Sequence, residues 1–148
     1  KLDASTMKVV LLKSHQIIEI EDTDIKTIDQ NKPEVETIDH DLNSLMENEK
    51  PYLDPNLNLS QLAEKVNLSR NQLSYIINQK HQINFNEYVN SYRVDEVKKL
   101  MKNPANQHLK LLSLAYDAGF NSKASFNRIF KQMTGITPSQ YFSMKDAG

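Results

Sequence analysis

The sequence predicts an all-α fold in which two pairs of short helices are joined by a long central helix, preceded by a short β-hairpin and an acidic linker. Three observations predict it. Beyond residue 41, apolar residues recur at i, i+3 and i+4 through one segment after another. Polar residues of the capping type stand in front of those segments. And one apolar spacing occurs twice, as Leu73, Ile76 and Ile77 and again as Phe126, Ile129 and Phe130.

Taken in order, Met7-Lys8-Val9-Val10-Leu11-Leu12 and Gln16-Ile17-Ile18-Glu19-Ile20 are rich in β-branched and aliphatic residues. They read as two strands turning at Lys13-Ser14-His15. Residues 22–41 are acidic, contain Pro33 and lack a sustained apolar period, which reads as linker. Leu42, Leu45 and Met46 open a first helix that ends before Asp54-Pro55. Asn58-Leu59-Ser60-Gln61 has the form of a capping box, followed by a short helix with Leu59, Leu62, Ala63 and Val66 on one side. Ser69-Arg70-Asn71-Gln72 is a second box, and its helix buries Leu73, Ile76 and Ile77. Asn84-Phe85-Asn86-Glu87 starts the long helix, with Phe85, Tyr88, Val89, Tyr92, Leu100 and Met101 facing inward; Asn103-Pro104 stops it.

The remainder repeats this plan. Leu111-Leu112-Ser113-Leu114-Ala115 makes a short helix closed by Gly119, a residue suited to the left-handed position after a helix. Ser122 caps the next helix, which Gly135 ends. Thr137-Pro138-Ser139-Gln140 starts a last one, with Pro138 at the tolerated first position. Two short helices, a tight turn and a Ser-capped second helix with polar exposed residues describe a helix-turn-helix. It occurs at 59–80 and at 111–133, with Ser69 and Ser122 separated by 53 residues. The central helix, about 17 residues and so about 25 Å long, would hold the units at a separation suited to successive major grooves about 34 Å apart. The domain boundaries follow: an appendage and linker over 1–41, and a helical domain over 42–148.

Composition agrees. Of 148 residues, 39% are hydrophobic and 25% charged, which suits a globular protein. The net charge of −1 hides a division. Residues 1–50 hold 12 acidic and 6 basic residues, whereas residues 51–148 hold 7 acidic and 12 basic. That is the pattern of a polyanion-binding domain with an acidic attachment. The absence of cysteine excludes disulfides and thiolate metal sites and fits a reducing cytoplasm. No apolar stretch approaches a membrane span or a signal peptide. The chain starts at Lys1, which suggests a piece of a longer protein.

The region 42–141 resembles the AraC/XylS family of transcription regulators. The resemblance rests on Leu59-Ser60-Gln61-Leu62-Ala63, Asn84-Phe85-Asn86-Glu87-Tyr88-Val89-Asn90, Tyr92-Arg93-Val94, Ala118-Gly119-Phe120, Phe126-Asn127-Arg128-Ile129-Phe130-Lys131 and Thr134-Gly135-Ile136-Thr137-Pro138. Two positions depart from the pattern: Gln82 stands where members usually have Gly, and Phe142 where many have Arg. The resemblance implies double-stranded DNA and RNA polymerase as partners and a sensing or dimerising part upstream. Some relatives that this chain resembles most, with the Tyr52-Leu53-Asp54 entry and Leu73-Ser74-Tyr75-Ile76-Ile77-Asn78 in the recognition helix, have a multi-helix membrane sensor there. A homodimer could form through the N-terminal segment or through a missing upstream domain.

By offset from each capping Ser, the resemblance implies that Asn71, Ser74 and Tyr75 face base edges in the first unit, with Arg70 nearer the backbone. Lys123, Ala124, Asn127 and Arg128 take the same face in the second. Asn suits adenine, Arg or Lys suits guanine, and Ala124 suits a thymine methyl. Ser69 and Ser122 sit at helix N-termini, where free N–H groups suit a phosphate. Taken singly, each polar residue reads as a solvated side chain; repetition within a duplicated motif argues for the DNA role. His15, His40, His81 and His108 form no ligand pair at i+3 or i+4, and the three glycines form no phosphate loop, so neither an enzyme, a metal site nor a cofactor is expected. The alternative is an all-helical protein-interaction module.

Overall fold

A computed structural model of the chain describes residues 8–13, 16–21 and 32–147, with side chains from 34 to 144. Met7, the turn at Ser14-His15 and residues 22–31 of the expected linker lie outside the described residues. Strands β1 (Lys8–Lys13) and β2 (Gln16–Glu21) pair antiparallel, Lys8 opposite Glu21 and Lys13 opposite Gln16. The first departure from expectation is α1, which runs over Lys32–Asn48. Residues 32–41, read as linker, are therefore helix. Pro33 occupies the first turn, where its missing N–H costs nothing, and Glu34 follows it near the positive end of the helix. Val35, Ile38, Leu42, Leu45 and Met46 do keep a helical period, with Leu42 and Met46 fully buried, but carboxylates at 34, 36, 39 and 41 obscure it. A truncation at Asp41 would cut this helix in half.

The remaining elements are a 3-10 turn at Pro51–Leu53, α2 (Leu59–Lys65), α3 (Arg70–His81), α4 (Phe85–Lys102), a 3-10 turn at Pro104–Asn106, α5 (Leu111–Asp117), α6 (Lys123–Thr134) and α7 (Pro138–Ala147). The expected caps form. Asn58 and Gln61 bond reciprocally at α2, at 2.9 and 3.0 Å, and Ser69 and Gln72 do so at α3, at 3.1 and 2.9 Å. Asn84 Oδ1 accepts from the Glu87 N–H at 2.8 Å at the start of α4, and Thr137 and Gln140 box the start of α7.

The chain divides into two compact units, one of Lys1–Pro51 and Leu57–Tyr88, the other of Tyr52–Asn56 and Val89–Gly148. In the first, Leu42, Met46, Leu62, Ala63, Leu73, Ile76, Ile77 and Tyr88 are buried. α1 packs on α3, and Tyr88 donates its hydroxyl to Asn43 Oδ1 on α1 at 2.7 Å. In the second, Val94, Val97 and Met101 of α4 join Leu114, Ala115, Ala118, Phe120, Phe126, Ile129 and Phe130 in one core. Its aromatic rings form a chain, Phe120–Phe126–Phe130–Tyr141, with centroid separations of 5.2, 5.8 and 5.5 Å.

Both helix-turn-helix turns end their first helix in the same way. Leu68 N–H donates to the Ala63 carbonyl at 2.9 Å, and Asn67 N–H to Glu64 at 3.2 Å. Phe120 N–H donates to Ala115 and Gly119 N–H to Tyr116, both at 3.1 Å. This is the Schellman arrangement, with Asn67 (φ 58°) and Gly119 (φ 104°) left-handed. Leu59 and Leu111 are 52 residues apart, Ser69 and Ser122 are 53, so the second turn is one residue longer.

The recognition-type helices also end alike. Gly135 is left-handed after α6 (φ 87°), and Gln82 is left-handed after α3 (φ 55°, ψ 37°). Gln82 thus carries a Cβ in a conformation that favours glycine. Gln82→Gly is expected to stabilise the chain by about 0.5–1 kcal/mol. Urea denaturation of both proteins checks this; an unchanged or lowered midpoint would show that Gln82 is unstrained.

Candidate nucleic-acid interface

The surface of interest is the exposed side of α3 and of α6, each held by its own unit. Apolar residues fix which side that is. In α3, Leu73, Ile76 and Ile77 are fully buried, which turns Arg70, Asn71, Ser74 and Tyr75 outward at i, i+1, i+4 and i+5. In α6, Phe126, Ile129 and Phe130 do the same for Lys123, Ala124, Asn127 and Arg128. The side chains at i and i+4 stack one above the other along the helix.

The two sides differ in exposure. Lys123, Ala124, Asn127 and Arg128 are all exposed. Arg70 is exposed too, but Asn71, Ser74 and Tyr75 are half-buried, and Asn71 is engaged by a neighbour within the chain. Ser74 borders a shallow cleft whose other walls are Leu57, Asn58 and Leu59 at the start of α2 and Asn84, Phe85 and Asn86 at the start of α4. Ser69 and Ser122 stand at the two helix N-termini, and each has its hydroxyl oxygen occupied by capping. Ser69 Oγ accepts from Gln72 N–H and Ser122 Oγ from Ser125 N–H, both at 3.1 Å. What each helix start offers an anion is therefore its remaining backbone N–H groups rather than the serine oxygen.

Two supporting clusters were not read from the sequence. The first ties α1 to the C-terminal end of α3. Lys80 pairs with Glu36, and His81 Nε2 lies 2.7 Å from Asp39 Oδ1 with its ring 5.1 Å from that of Tyr88. The second lies in the other unit. Arg93 donates from Nε to the Tyr52 carbonyl and from Nη2 to the Asp54 carbonyl, both at 2.8 Å. Tyr52 is buried, stacks on Tyr92 with centroids 5.6 Å apart, and donates its hydroxyl to Glu96 at 3.2 Å. Burial, and then the neighbouring Glu96 carboxylate, push the Tyr52 phenol well above its ordinary range; burial pulls the Arg93 guanidinium down. Gly119 closes the cluster. A Cβ there would fall 2.2 Å from the Tyr52 carbonyl oxygen and 2.8 Å from Arg93 Nε. The motif residues Tyr52, Arg93 and Gly119, far apart in the sequence, are thus one cluster. The sequence signal for it was that Arg93 and Gly119 sit in the matching stretches and Tyr52 in the Tyr52-Leu53-Asp54 entry.

Among the described residues no group of three or more His, Cys, Asp or Glu is placed to hold a metal, and no helix is long and apolar enough to cross a membrane. Comparison with known proteins points the same way as the geometry. The helix-turn-helix domain family matches residues 62–144, more than half of the chain. The HTH-type transcriptional regulator YijO of Escherichia coli is 31% identical over 102 residues, covering 66% of this chain and 35% of that protein. The arabinose operon regulatory protein of the same organism is 26% identical over 88 residues, covering 60% and 29%. The chain therefore spans about a third of the length of these curated relatives. Among solved structures, the C-terminal domain of the two-component response regulator yesN from Fusobacterium nucleatum is 31% identical, with a TM-score of 0.57 over 72% of this chain and 95% of that one. The C-terminal domain of AraT, a response regulator from Geobacillus stearothermophilus, shares the fold, with a TM-score of 0.59 at 23% identity over 78% and 88%. With two capped helix-turn-helix units in this order, the chain belongs to the AraC-type helix-turn-helix family of DNA-binding transcription regulators.

Proposed function

We propose that the chain binds double-stranded DNA sequence-specifically, with α3 and α6 in successive major grooves, and that it regulates transcription by doing so. The observation that carries this reading is the repetition of one arrangement: an exposed polar or basic face, behind a Ser-capped N-terminus, backed by a buried apolar face. Asn71, Ser74, Tyr75, Ala124, Asn127, Arg128 and Lys123 face base edges in this reading. Arg70 and the helix N-termini at Ser69 and Ser122 engage phosphate. Two different recognition helices on one chain read two half-sites that need not be palindromic. RNA polymerase is the protein partner, and the DNA-binding part works in the cytoplasm. A second copy of the chain pairs through the N-terminal segment, where a two-stranded sheet offers strand edges, or through a domain upstream. The helical DNA-binding domain takes in residues 42–148, with α1 continuing upstream to Lys32.

The test separates base reading from backbone binding. Arg128→Ala is expected to cost about 1–3 kcal/mol at the preferred site and to relax preference at one base pair. Arg70→Ala is expected to weaken binding to all sequences alike and to lower the salt slope by about one. Selection of preferred sites from random duplexes, with thermal melts alongside, measures both. Unchanged preference in the first variant together with altered preference in the second would reverse the two roles.

A further inference from the structure

The C-terminal ends of the two recognition helices are held in different ways. At α3 the last two residues, Lys80 and His81, reach across to α1, where Glu36, Asp39 and Asn43 line one side at i, i+3 and i+7. Lys80 pairs with Glu36. His81 Nε2 lies 2.7 Å from Asp39 Oδ1, and Asn43 donates from Nδ2 to Asp39 Oδ2 at 3.2 Å. Tyr88, beyond the turn in α4, donates its hydroxyl to Asn43 Oδ1 at 2.7 Å and sets its ring 5.1 Å from that of His81. The circuit closes through three helices and spans the left-handed turn at Gln82. It is also enclosed, with Asp39 9% and Tyr88 2% exposed. At α6 the positions matching Lys80 and His81 are Met133 and Thr134. Met133 is 39% exposed, and the Thr134 hydroxyl donates to the carbonyls of Phe130 and Ile136 around its own helix end, at 2.8 and 2.9 Å.

We infer that α1 positions the first reading head and not the second: through Asp39 and His81 it sets the tilt of α3, so that a displacement of α1 alters preference at the half-site under α3 alone. This rests on the DNA-facing reading of the two helices given above. The physical basis is leverage. His81 follows Asn71 by ten residues, about 15 Å along the axis. A tilt of about 5° at the held end moves the reading residues by about 1.3 Å over that length. Hydrogen bonds to a base edge keep their strength across a range of only about 0.5 Å. Asp39 suits the holding role because a buried carboxylate left short of donors is costly. A carboxylate only accepts, so the His81 nitrogen is its donor alongside Asn43, and such charge-assisted bonds are the stronger kind. Asp39 and His81 are thus positioning residues that act through Asn71, Ser74 and Tyr75.

The experiment is site selection from random duplexes with the full chain and its variants, each melted alongside. Tyr75→Ala and Asn127→Ala mark the base pairs read by the first and second heads. His81→Ala and Asp39→Ala, folded at the assay temperature, should relax preference by about 5- to 150-fold at the base pairs that Tyr75→Ala marks. Those marked by Asn127→Ala should keep theirs. His81→Gln, whose amide N–H can replace that of Nε2, should restore most of the loss. If the alanine variants melt below the assay temperature, Glu36→Ala at the exposed edge of the same contact takes their place, with about a 2- to 5-fold relaxation at the first set. The inference is overturned if folded variants relax both sets alike, if they change neither, or if His81→Gln is as impaired as His81→Ala. Silence of both Tyr75→Ala and Asn127→Ala would instead bring down the recognition-face reading, and this inference with it.

Discussion

Gly119→Ala is expected to destabilise the second unit by roughly 3–6 kcal/mol, a large share of the 5–15 kcal/mol that holds a typical domain folded. Three costs combine. The left-handed φ of 104° is one that alanine rarely adopts. The new methyl would overlap the Tyr52 carbonyl oxygen, a backbone atom that cannot step aside. Moving that carbonyl would also break the bond from Arg93 Nε, leaving a half-buried guanidinium short of an acceptor. Gly135→Ala is the control. Its φ of 87° is similarly left-handed, but a Cβ there meets nothing within 4 Å, so only strain of about 1–2 kcal/mol is expected. Denaturant titrations of the two variants check the account. Equal losses would mean that the contact with Tyr52 contributes nothing and that backbone conformation alone decides.

The second large effect is on binding. Residues 51–148 carry an excess of basic over acidic residues, and Lys123, Arg128 and Arg70 lie exposed on the two recognition helices. If six or more phosphates are neutralised, affinity for duplex DNA should fall by about 10³- to 10⁵-fold between 50 and 200 mM salt. A mobility-shift series on mixed-sequence and selected duplexes measures the slope. A binding constant flat across that range would favour the rival reading, in which the same helices bind a protein.

How much of this was legible depended on how far each signal reaches along the chain. The caps at Asn58, Ser69, Ser122 and Thr137 involve partners three residues away, so a local pattern sufficed. The buried triplets Leu73, Ile76, Ile77 and Phe126, Ile129, Phe130 follow from helical period alone. By contrast, the first half of α1 was hidden because its carboxylates looked like solvated linker charges. Two of them, Glu36 and Asp39, answer Lys80 and His81, more than 40 residues on. Gly119 was read as a left-handed helix end, which it is. That it also makes room for a carbonyl at Tyr52 depends on a meeting in space that no spacing rule encodes. The unequal exposure of α3 and α6 belongs to the same class, since Ser74 shares a cleft with the starts of α2 and α4 and α3 also meets β2.

The placement of residues 52–56 bears on how such a protein can be divided. Tyr52–Asn56 belong to the second unit, although the chain on both sides of them, Lys1–Pro51 and Leu57–Tyr88, belongs to the first. A fragment cut cleanly at Val89 would look self-sufficient on paper, with its own helix-turn-helix and aromatic core. It would lack both carbonyls to which Arg93 donates, the ring that stacks on Tyr92 and the hydroxyl that meets Glu96. Recombination that swaps the second reading head between relatives faces the same constraint: the exchanged piece must be collected from two places in the gene. Insertions near residue 54 would register as damage some 65 residues downstream, at Gly119, and the two heads would be inherited together more readily than apart.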